Sequence, residues 1–155
     1  MVNSIVKGKI FERQMANFLT YITESPWKRV PNSGGLASAA NRDNITFQGD
    51  IYNLKYPNTV IECKHWKTLT VTDLYNPKSL FHSAIKQSKK ESQGKDWILF
   101  VKANNQGILM IHHLFSTPET HSIIQLIPYK GLLVNEDNLC LKKIQAKRDS
   151  KKNKT

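Results

Sequence analysis

Apolar residues recur at spacings of four, three and four near the start of the chain, at Phe11, Met15, Phe18 and Ile22. That rhythm is the period of a helix with one buried stripe, and it predicts a helix over residues 9–22, with Ile10 and Leu19 widening the stripe. Glu12 stands about 60° from Met15 around the helix axis, at the edge of the core-facing stripe and not opposite it. A carboxylate there is either a first-turn residue favoured by the helix dipole or a side chain belonging to a site at the seam. Ser25-Pro26 closes the helical region.

Beyond it the period shortens. Residues 27–30 read as a short strand, and residues 31–48 (PNSGGLASAANRDNITFQ) as a long polar connection of the kind that often carries function. Residues 49–55 (GDIYNLK) and 59–66 (TVIECKHW) read as strands, and the turn cluster Tyr56-Pro57-Asn58 between them predicts a hairpin. A second helix is expected over residues 76–93, with Leu80, Ala84 and Gln87 on one face, Phe81 and Ile85 beside it, and Gly94 as the stop. Residues 96–101 (DWILFV) and 107–112 (GILMIH) are two further strands around an Asn104–Gly107 turn, and residues 122–127 are a strand or a short helix. The order α-β-β-β-α-β-β implies a mixed α/β domain with a small central sheet.

Chemistry concentrates between Asp50 and Lys64. Strand alternation puts Val60, Glu62 and Lys64 on one face and Ile61, Cys63 and His65 on the other. A carboxylate and an ammonium therefore share one small volume, and Asp50 on the neighbouring strand reaches it. An E-x-K pair is most often a solvated surface pair. Here its neighbours Val60, Ile61, Cys63 and Trp66 are apolar. Carboxylate oxygens are hard ligands for Mg²⁺, which takes one or two of them together with water and phosphate. Such an ion neutralises a phosphodiester and lowers the pKa of a water, and a lysine can position that water or stabilise the charge that develops.

Charge changes the picture of the partner. The 155 residues carry 23 Lys+Arg against 12 Asp+Glu, a net of +11. Seven basic residues and one acidic residue fall in 142–155, a net of +6, and removing them leaves +5 on the body. Residues 1–141 are thus expected to form one domain and 142–155 a basic, flexible tail. An excess of this size points to a polyanion through counterion release. No apolar run approaches the ~18–20 residues of a membrane span, and no signal-peptide core is evident, so a cytoplasmic protein of a bacterial, archaeal or virus-infected cell is expected. Cys63 and Cys140 make no disulfide framework and no zinc pattern, and His112, His113 and His121 lack metal-ligand spacing.

Gly49-Asp50 followed by Glu62-Cys63-Lys64 resembles the PD-(D/E)xK nuclease pattern, here GD…ECK without the proline. The segment KGKIFER, which holds Glu12, resembles the first helix of the archaeal-type Holliday junction resolvases of that superfamily and their viral or phage relatives. Gln87 matches a glutamine often found in the helix after the E-x-K strand. The resemblance covers residues 7–111.

It implies a restriction-endonuclease-like α/β core, a mixed central sheet flanked by helices. It implies Mg²⁺, with Mn²⁺ as a substitute, held by Asp50, Glu62 and the Cys63 carbonyl, with Glu12 completing the metal site directly or through water. Lys64 would position the attacking water, Gln87 would orient Lys64 or a phosphate, and Ser33 would lie near the scissile phosphate, although the 32–48 stretch is longer than in resolvases. The implied activity is a DNA endonuclease acting on four-way junctions as a homodimer, since a two-fold junction needs two paired cuts. A restriction-like or repair nuclease on duplex or branched DNA is the first rival. A non-catalytic DNA-binding protein, using the tail and the lysine-rich helix, is the second.

Overall fold

A computed structural model of the chain describes residues 3–31, 47–112, 122–129 and 132–134. The first apolar stripe winds into α1, Ser4–Thr23, and buries Phe11, Met15, Ala16, Phe18 and Leu19. The helix starts about a turn and a half earlier than periodicity implies, because Asn3 caps it: its Oδ1 accepts from the Ile5 N–H at 3.1 Å. Two consequences follow. Glu12 lies well beyond the first turn, which removes the dipole explanation for it. Ile10, expected to widen the stripe, is 53% exposed.

Among the described residues the strands form one seven-stranded sheet in sequence order. They are β1 (Lys28–Arg29), β2 (Ile51–Tyr52), β3 (Thr59–Trp66), β4 (Asp96–Ala103), β5 (Ile108–His112), β6 (Ser122–Tyr129) and β7 (Leu132–Val134). All neighbours are antiparallel except β3 and β4, which run parallel from Thr59 beside Asp96 to Trp66 beside Ala103. A parallel pair needs a long crossover, and here it contains two helices, α2 (Val71–Tyr75) and α3 (Leu80–Ser92).

The sequence pattern predicts one helix over 76–93. The chain instead forms a separate short helix ahead of that segment, α2, opened by a Thr70–Asp73 capping box. It restarts after Pro77 at Ser79, whose Oγ accepts from the His82 N–H at 3.3 Å. The buried stripe of α3 is Phe81, Ala84, Ile85, Ser88 and Ser92. Leu80 and Gln87, expected on the buried face, lie outside it: a shift of one position rotates a helical face by about 100°. Residues 122–127, for which the pattern allows a strand or a short helix, lie in a strand, β6.

Helices cover both faces of the sheet. On the α1 side, Phe11, Met15, Phe18 and Leu19 meet Ile51, Ile61, Ile98, Phe100 and Met110. On the α3 side, Phe81, Ala84 and Ile85 meet Val60, Trp97, Leu99, Val101 and Ile111. Two-sided burial is why β4 reads as an unbroken apolar run, and it puts Trp97 in the core. The predicted hairpin exists, but its strands pair briefly, with Ile51 opposite Ile61. Beyond Ile61 the edge of β3 is left without a β2 partner among the described residues.

Candidate active site

The site lies where β2 leaves β3. Gly49 adopts a left-handed φ of +81°, and a Cβ there would stand 2.5 Å from the Ile61 carbonyl oxygen. Only glycine lets the backbone come this close. The approach delivers Asp50 to the uncovered edge. Its N–H donates to the Ile61 carbonyl at 2.7 Å, and its Oδ2 accepts from the Cys63 N–H at 2.8 Å. A carboxylate thus takes the place of the missing strand partner.

Glu62 is 5% exposed and its carboxylate is 3.5 Å from the Lys64 ammonium. Burial pushes its pKa up from an ordinary 4.5 to about 8, and repulsion from Asp50 adds to the rise while Lys64 opposes it. One lysine does not offset two carboxylates in a place with little water. A third carboxylate adds to the effect: Glu91 on α3 lies within hydrogen-bonding reach of Glu62 and also raises its pKa. Sequence reasoning did not single out Glu91. Its signal is its place four residues after Gln87, on the same helical face. The Gln87 Nε2 donates to Glu91 Oε1 at 2.7 Å, so Gln87 is connected to Glu62 through Glu91 and makes no hydrogen bond to Lys64.

Glu12 occupies a different surrounding. Its carboxylate accepts from the Arg29 Nε in an ion pair, and α1 packs on the Cys63 face of the sheet. It is nonetheless close enough to act on Cys63. Burial first, then Asp50, Glu12 and Glu62, hold the Cys63 thiol well above its ordinary range. The thiol is therefore protonated near neutrality and is no nucleophile. His65, on the same face, has its Nδ1 3.5 Å from the Lys7 carbonyl and its ring against Phe11, away from Glu62. Ser33 lies outside the described residues, as does the basic tail over 142–155.

Chemically, Asp50, Glu62 and Lys64 converge, Gln87 and Glu91 stand behind Glu62, and Glu12 is tied to Arg29. Among the described residues, no three His, Cys, Asp or Glu side chains form a ready metal cage. The donors are a pair of hard carboxylates short of positive charge, a set suited to a divalent ion that keeps several waters. No helix among the described residues is long and apolar enough to cross a membrane.

No curated protein and no solved structure matches the chain. The family model for "Phage putative PDDEXK endonuclease" matches residues 3–152 of the 155. PD-(D/E)xK nucleases generally use divalent metal ions. The mixed sheet with helices on both faces agrees with the restriction-endonuclease-like core expected for such enzymes, and the GD…ECK residues sit together on its β2–β3 hairpin. The chain belongs to the phage PDDEXK endonuclease family, within the PD-(D/E)xK nuclease superfamily.

Proposed function

We propose that the chain is a Mg²⁺-dependent DNA endonuclease that hydrolyses phosphodiester bonds in four-way junctions, acting as a homodimer. The observation that carries the nuclease reading is the meeting of Asp50, Glu62 and Lys64 at the open edge of β3. Asp50 and Glu62 would hold the metal. Cys63 would add its carbonyl: the N–H and C=O of one strand residue leave on the same side, and its N–H is directed at Asp50. Glu12, bound to Arg29 near Cys63, would complete the site through water. When bound, the ion neutralises the phosphodiester and lowers the pKa of a water.

The chain's own residues supply the rest. Lys64 donates to the attacking water and stabilises charge developing on the phosphate. Glu62 shares a hydrogen-bonded environment with Glu91, and Gln87 fixes Glu91 from the helix. The net charge of +11 draws the DNA. Junction specificity is supported by the resemblance of the α1 segment to resolvases. Dimerisation is supported by Val71, Tyr75 and Leu80, large apolar residues left 72%, 80% and 73% exposed on α2 and at the start of α3.

The test is to incubate the protein with a synthetic four-way junction and with linear duplex of the same sequence, in Mg²⁺ and in EDTA. Symmetric, Mg²⁺-dependent junction cuts that far outpace duplex cleavage are expected. Equal rates on both substrates remove the junction reading. Cleavage retained by purified Asp50→Asn removes the site.

A further inference from the structure

A cavity of about 240 Å³ opens beside the β2–β3 turn. Among the described residues Phe47, Gln48, Tyr52, Tyr56, Val60 and Lys95 contribute to its walls. Its place relative to the carboxylates follows from register. Ile51 stands opposite Ile61 in an antiparallel pair, so the next residue, Tyr52, comes beside Val60. One wall of the cavity, Val60, therefore stands two residues, roughly 7 Å, along β3 from Glu62 on the same face.

Its walls have a particular chemistry. The Phe47 and Tyr52 rings lie 3.9 Å apart, centre to centre, at 32° to each other, so each covers one face of the other and the stacked pair lines the cavity. Tyr56 and Val60 are buried and contribute apolar wall. The Lys95 Nζ donates to Gln48 Oε1 at 2.7 Å, which adds a cation and an amide. A nucleotide of the substrate has the complementary parts: a base with apolar faces and a polar edge, on an anionic tether. The space is smaller than the ~300–1,000 Å³ typical of pockets for drug-sized ligands, and suits a smaller group. A base inside a duplex is stacked on both faces, so only an unpaired or extruded base can use an aromatic wall.

We infer that this cavity is a subsite for one unpaired nucleobase of the substrate strand, next to the phosphodiester bound at Asp50 and Glu62. The path assigned to the strand rests on the nuclease reading; the stacking does not. The wild-type protein in EDTA is titrated into branched and single-stranded oligonucleotides carrying 2-aminopurine at successive unpaired positions, and into the same oligonucleotides with an abasic residue there. One position is expected to show strong quenching, and its abasic form to bind roughly 5- to 150-fold more weakly. Phe47→Leu and Tyr52→Leu, which keep apolar bulk, are expected to remove the quenching and the base dependence while duplex affinity stays within twofold. No quenched position, or abasic forms that bind equally well, overturns the subsite. So does a free mononucleotide that displaces the oligonucleotide at equal concentration. The Mg²⁺ cleavage assay separates the two readings. Cleavage without base-dependent binding leaves the nuclease and removes the subsite; base-dependent binding without cleavage does the reverse.

Discussion

On the α1 side of β3, Ile61 and Cys63 pack with Phe11 and its neighbours; on the α3 side, Val60 packs with Phe81, Ala84 and Ile85, and Glu62 and Lys64 continue that face. Each side holds a carboxylate beside a cation, and the two pairs differ in kind. Glu12 is held by the Arg29 guanidinium, a planar donor well matched to a carboxylate. Glu62 has an ammonium 3.5 Å away and two further carboxylates, Asp50 and Glu91, acting against its ionisation. One side of the strand is compensated within the protein. The other has carboxylates in surplus over cations, an arrangement that raises the Glu62 pKa and that a bound cation would relieve. The two faces of β3 thus meet a carboxylate paired with a guanidinium on one side and a carboxylate crowded by others on the opposite side, separated by the alternation of side chains.

The largest effect that would break this contrast is at the uncompensated side. Asp50→Asn and Lys64→Ala are each expected to lower junction cleavage roughly 100- to 1,000-fold or more, with junction affinity preserved in a gel-shift titration. A cleavage loss matched by equal loss of binding would assign these residues to folding instead.

Glu62 sharpens the contrast through pH. Its folded pKa is raised from 4.5 to about 8, so the folded state favours the protonated form. Its contribution to stability is fully present below pH 4.5 and is lost as pH rises through about 8. Metal-free wild type is therefore expected to lose stability relative to Glu62→Gln across that window, by on the order of a few kcal/mol. Mg²⁺ at pH 8 should raise the melting temperature of wild type and not of the variant. Parallel melting curves for both proteins from pH 5 to 8.5 would contradict the surplus-charge account.

Gly49→Ala tests how Asp50 is delivered. The left-handed backbone and the 2.5 Å clash with the Ile61 carbonyl should cost on the order of 1–3 kcal/mol in denaturant unfolding, with cleavage reduced even where the variant is folded. Glu12→Gln probes the compensated side. A residue acting on the metal through water should raise the Mg²⁺ concentration needed for half-maximal cleavage about 10- to 100-fold. An unchanged requirement, with only a fall in stability, would confine Glu12 to its pair with Arg29. Gln87→Ala should have the smallest effect, a cleavage loss below about tenfold, since it reaches Glu62 only through Glu91.

Much of this was legible in the linear pattern, for reasons that are local. Strand β3 matches its expected bounds residue for residue, because turn residues bracket it and period two assigns its faces. The face reading of Glu62, Lys64, Cys63 and His65 follows from that alternation. The helices were less legible. Asn3 extends α1 past the apolar stripe, and the second predicted helix starts only at Leu80, behind its Ser79 cap; both are end effects that a stripe does not encode. Gln87 stood out by its type and Glu91 did not, since a Glu in a lysine-rich helix looks like a surface charge until Glu62 is seen beside it.

The sequence by itself determined the alternation of β3, the glycine before Asp50, the amphipathic stripe of α1 and the positive charge that selects a polyanion. Those depend on residue type and spacing within a few positions. Tertiary structure decided which carboxylates share a volume. Chain separation says nothing about whether Glu12 or Glu91 approaches Glu62; that depends on which face of the sheet each helix covers. It also decided that Arg29 binds Glu12 while Glu62 is left with Lys64, because β1 reaches the sheet through β2. Desolvation is a property of the packed state, so a carboxylate displaced to a pKa of about 8 exists only once both faces of the sheet are covered.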